Sequence, residues 1–92
     1  MQGIASRRKQ YVEVVSRTDV DGRVSPLQVV WEDGRHFPVE QVVDARQAQS
    51  LKTGGTGIRY TIRIGGRPTY LWYEDPRWFV EAKVAAMPSA GA

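Results

Sequence analysis

The chain has 92 residues, a net charge of +3 and no cysteine, with 41% hydrophobic and 25% charged residues. That length supports one domain with a single thin core, and the missing cysteine excludes disulfides, thiolate catalysis and cysteine-bound zinc. No apolar run reaches bilayer length and Met1–Lys9 lacks the apolar stretch of a secretory signal, so a cytoplasmic protein with no membrane partner is expected.

The excess charge is local. Arg7, Arg8 and Lys9 supply all of it, because ten basic residues elsewhere match ten acidic ones. Residues 10–44 hold seven acids and three bases, whereas residues 45–73 hold five bases (Arg46, Lys52, Arg59, Arg63, Arg67) and no acid. Such segregation makes a dipolar surface unless an acidic strand pairs with a basic one and cancels it. Cancellation is the expectation.

Residues 1–9 read as a mobile basic arm, residues 10–83 as one β domain and residues 84–92 as a tail. Gln10–Arg17 is β-rich, with Val12 and Val14 on one face and Tyr11, Glu13 and Val15 on the other. Thr18–Gly22 is a turn. Its alternating aspartates begin like a calcium loop, but Arg23 and Val24 follow and no closing glutamate appears. Val24–Trp31 is the second strand, with Pro26 near its start. Asp33-Gly34 then predicts a two-residue hairpin turn. His36 to about Ala45 reads as one third strand, whose apolar phase shifts at Glu40-Gln41, as a β-bulge there would cause.

Asp44–Leu51 is either weakly helical or a strand end running into a loop. Lys52–Gly57 is a glycine-rich hairpin connection without Walker spacing and without a helix after it. Ile58–Ile64 alternates cleanly, with Ile58, Tyr60, Ile62 and Ile64 on the core face and Arg59, Thr61 and Arg63 opposite. Gly65-Gly66 turns the chain into Arg67–Glu74, where Tyr70, Leu71, Trp72 and Tyr73 load both faces. The pattern leaves open which pair points outward. Asp75-Pro76 starts the next turn. Trp78-Phe79-Val80 opens a sixth strand, and Ala82–Ala86 has room for one helical turn.

The run Trp31-Glu32-Asp33-Gly34-Arg35-His36-Phe37-Pro38-Val39-Glu40, with Arg59-Tyr60, Tyr70-Leu71-Trp72 and Arg77-Trp78-Phe79-Val80 downstream, resembles small uncharacterised bacterial β domains. Their pattern is W-x-x-G-R-x-[FY]-x-V ahead of a β-meander. The resemblance covers most of residues 10–83, implies the same fold and carries no activity.

The expected fold is all-β: a five- to six-stranded antiparallel meander, curved or partly closed into a small barrel of SH3-like or OB-like size. Catalysis is disfavoured, because His36 is the only imidazole and the carboxylates sit at turns. No metal site or cofactor is expected. The expected function is a protein-interaction or assembly module, its partner another protein or a second copy in a homodimer. The alternative is single-strand nucleic-acid binding. Arg59, Arg63 and Arg67 would share a surface with Tyr70 and Trp72, combining basic charge with stacking platforms.

Overall fold

The computed structural model describes residues 7–49 and 56–83. They form seven strands: β1 (Arg7–Thr18), β2 (Val24–Val30), β3 (His36–Pro38), β4 (Gln41–Gln49), β5 (Thr56–Ile64), β6 (Arg67–Glu74) and β7 (Arg77–Lys83). All pair antiparallel in one sheet of order β3-β2-β1-β7-β6-β5-β4. The class is all-β as expected, with one strand more than the highest expected count. Among the described residues no helix is long and apolar enough to cross a membrane.

The extra strand arises where one long third strand was expected. The chain instead turns a corner at Val39-Glu40, and β3 and β4 lie at opposite ends of the strand order. A two-residue link between the two edges forces the sheet to curl into a half-barrel. Backbone bonds fix the corner: the Val39 N–H donates to Leu27 O at 2.9 Å, and the Glu40 N–H to Arg63 O at 2.8 Å. The Glu40 carboxylate also accepts from the N–H groups of Gly65 and Gly66 at 2.8 and 3.0 Å. One residue thus ties the β3–β4 corner to the β5–β6 turn.

β1 holds the half-barrel together from the middle. Arg7 to Val12 pair with β7, and Glu13 to Thr18 pair with β2. The Arg7–Lys9 part of the expected arm therefore belongs to a strand. Register shifts between Val15 and Ser16, whose partners are Gln28 and Pro26. Leu27 is the bulge residue, without a partner on β1, and is exposed, while Val29 is buried and Pro26 fully so.

The β2–β3 turn is longer than the expected two residues. Trp31 and Arg35 close it, with the Gly34 N–H bonded to Trp31 O at 2.8 Å. Only Gly34 needs a positive φ, of 88°. This is a three-residue loop with glycine in the left-handed position. Asp33 accepts from the Arg35 N–H, and the Arg35 guanidinium lies 5.3 Å from the Phe37 ring centre. Trp31, Gly34, Arg35, Phe37 and Val39 are in this way the parts of one hairpin.

The concave core is Val29, Tyr60, Ile62, Leu71 and Trp78, flanked by Val12, Val14, Ile58, Tyr73 and Val80 among others. The alternations expected for β1 and β5 hold. Tyr60 donates its hydroxyl proton to Val24 O, and burial raises its pKa. Asp44 to Gln49 are strand, not helix. Ala82 is in β7, while residues 84–86 of the expected helical turn, residues 1–6 of the arm, residues 52–55 of the glycine-rich loop and the 84–92 tail lie outside the described residues.

Candidate binding face

Strand alternation decides what the convex face displays. Register carries one row straight across five strands: Tyr11 opposes Phe79, Phe79 opposes Trp72, Trp72 opposes Arg59, and Arg59 opposes Arg46. Of the four consecutive large residues on β6, Leu71 and Tyr73 face the core and Tyr70 and Trp72 face the convex side.

The aromatic end of the row is closed on itself. Trp72 and Phe79 stack at 5.6 Å with planes 6° apart, and Tyr11 meets Phe79 edge-on at 6.0 Å. Trp72 is only 3% exposed and Phe79 is fully buried. Lys9 Nζ lies 5.0 Å from the Phe79 ring centre and binds Glu74 at 3.0 Å, while the Tyr11 hydroxyl donates to the same carboxylate at 2.9 Å. The hydrogen bond from Lys9, and then that from Tyr11, holds the Glu74 carboxyl below its usual pKa, and Glu74 raises that of Lys9. Two buried donors here, Trp72 Nε1 and Arg59 Nε, have no acceptor.

The charged end is open. Arg59 lies over the Tyr70 ring at 4.5 Å, and Tyr70 is 48% exposed. On β4, Arg46 Nε donates to Asp44 at 2.8 Å. That bond and the charge of Arg46, followed by that of Arg59, lower the Asp44 pKa; the same bond raises that of Arg46. The expected cancellation of charge therefore occurs partly within one strand rather than between an acidic and a basic one.

Of the residues singled out from sequence, Arg59, Arg63, Tyr70 and Trp72 do share this face. Arg67 does not: it opposes Ile64, on the core-facing alternation, and lines a cavity of about 360 Å³ at the mouth with Trp31, Phe37 and Ile62. Arg63 turns toward Gly66 O at 3.3 Å. Trp72 is already stacked, so Tyr70 is the exposed ring of the set.

Sequence reasoning placed Gln41–Ala45 in one strand with His36–Pro38 and left Asp44–Leu51 open, so it missed β4 as a separate edge strand. This nine-residue strand is hydrogen-bonded to β5 alone among the described residues and ends the sheet. Val43 is its bulge residue, between the Val42–Ile62 and Asp44–Thr61 pairs, and is 50% exposed. On the concave side a cleft of about 640 Å³ separates β4 from the β1–β2 turn. The available signal was topological: Ile58–Ile64 needs an antiparallel partner, and the segment before the glycine-rich loop is the nearest.

No family model, curated protein or solved structure matches the chain. Among the described residues no three His, Cys, Asp or Glu side chains gather into a metal-binding group.

Proposed function

We propose that this protein is an interaction module that accepts an extended strand from another protein chain onto the free edge of β4. The observation that carries this reading is the edge itself. A strand with one neighbour presents a row of unpaired N–H and C=O groups, and proteins normally blunt such edges with charged side chains (lysine above all), proline, a bulge or a short strand. β4 has nine residues, no lysine and no proline, and its two charges pair with each other. Its bulge lies near one end and leaves the run from Asp44 onward regular. Strand addition uses that backbone for affinity and the alternating side chains for selectivity.

Single-strand nucleic-acid binding has less support. Trp72 and Phe79 stack on each other, Arg46 is neutralised by Asp44, and the two exposed rings of the face, Tyr11 and Tyr70, each already lie beneath an arginine, Arg77 and Arg59.

A photo-crosslinking amino acid at Val43, in protein expressed in its source cells, tests the proposal. Discrete protein adducts are expected from Val43 and none from the same group at Val20, which is fully exposed on the β1–β2 turn. Equal labelling from both positions, or no adduct from Val43, overturns it.

A further inference from the structure

We infer that the strand accepted by β4 is β4 of a second copy, running antiparallel about a two-fold axis at Ala45. This rests on the reading of β4 as an accepting edge and goes further by naming the occupant and the register.

Charge complementarity selects this pairing. About an axis at Ala45, Asp44 opposes Arg46 of the second copy, and Arg46 opposes Asp44 of the second copy. Both side chains lie on the convex alternation, opposite Thr61 and Arg59 of β5. Each carboxylate then sits between its own Arg46, 2.8 Å away, and Arg46 of the other copy, so that charges alternate around a square. An in-register parallel pairing sets Asp44 against Asp44 and Arg46 against Arg46, and like charges directly opposite are destabilising. An antiparallel slip by one residue in either direction loses the reciprocal ion pairs and turns side chains to the wrong face.

Size and space agree with charge. Directly opposed residues approach to about 4.5–5.5 Å between Cα atoms, and the residue on the axis is alanine. Val43 meets Gln47 of the second copy, both medium-sized. The cleft between β4 and the β1–β2 turn leaves room on the concave side of Ala45. The Val43 bulge limits the regular pairing to a short run, so the interface falls at the small end of the range and association depends on concentration.

Charge reversal gives the test, read by light scattering on the purified protein. The native chain is expected to rise from 10.3 kDa toward twice that mass as concentration increases. Asp44→Arg alone sets two arginines opposite two arginines, and Arg46→Asp alone sets acids opposite acids. Each should weaken self-association by about tenfold or more, as two favourable cross-strand pairs become two repulsive ones. Mixing the two variants restores both pairs, so a heterodimer should form where neither variant dimerises alone. The double swap Asp44→Arg/Arg46→Asp should recover the native mass, and far-UV circular dichroism checks that every variant is folded.

A native chain that stays monomeric overturns the inference, as does a mixture that stays monomeric. If the native chain is monomeric but Val43 captures a chain of another mass in cells, self-pairing fails and the edge-binding reading stands. If neither occurs, both fail.

Discussion

Gly57 has little freedom to change. It stands at φ 147° on β5, and a Cβ there would lie 2.2 Å from the Tyr73 carbonyl oxygen. Backbone cannot give way as a side-chain tip can, so both the conformation and the contact penalise any side chain. Gly22 has a positive φ as well, but nothing lies within 4 Å of its added Cβ. Gly57→Ala should therefore cost about 2–4 kcal/mol and Gly22→Ala about 1 kcal/mol, compared by urea denaturation. Equal losses would mean that β6 does not press on β5 as closely as described. Little of this was visible in the sequence. Gly57 ends the segment Lys52–Gly57, whose residue types say only that the chain bends; the close approach comes from β6, sixteen residues on.

At the scale of elements, the N-terminal half of β1 is bound to the sheet through its convex face as well as its ladder. Glu74 on β6 spans β7 to reach Lys9 and Tyr11 on β1. Its folded-state pKa lies below the ordinary 4.5. The tie therefore contributes fully above that value and is lost as pH falls through the depressed folded-state value. The melting temperature of the native chain should exceed that of Glu74→Gln at neutral pH, and the gap should close below pH 4.5. A gap that persists in acid would assign the difference to packing.

Some elements were plain in the sequence and others were hidden for physical reasons. Ile58–Ile64 was legible because one buried face imposes strict alternation on an exposed one. The extent of β4 as a separate strand was hidden because Gln, Ala, Asp and Arg on a thinly covered edge leave no apolar period, and Val43 breaks what alternation remains. The β3–β4 corner passed for a bulge because both shift the apolar phase by one residue. At the site, Arg59 and Tyr70 could be named from residue type and spacing. Arg67 could not be sorted to the opposite face without the register across Gly65-Gly66. A free edge is a property of strand order, which no local window of residues contains.

For the molecule as a whole, curling depends on a small number of bonds at one corner. A sheet ordered β3 to β4 can open or close, and Val39-Glu40 decides between them by bonding to both β2 and β5. The Glu40 side chain adds the two bonds to Gly65 and Gly66. Glu40→Ala should cost about 1–2 kcal/mol in urea denaturation, after discounting charge-assisted bonds for solvent exposure. It should also speed amide exchange at Gly65 and Gly66 beyond what global unfolding explains. Unchanged exchange there would show that the turn holds its shape without the carboxylate.

The pairing of Arg7 with Lys83 puts the entry and exit of the described body side by side in the middle of the sheet. The chain is therefore nearly a ring in space, interrupted between β1 and β7. A short linker across that gap would allow new ends to be opened at the Glu32-Asp33-Gly34 turn with the strand order unaltered. For the same reason a domain joined directly before Arg7 or after Lys83 departs from one seam, at least three strands away from β4. Tethered copies or reporters attached there would leave the far edge of the sheet clear.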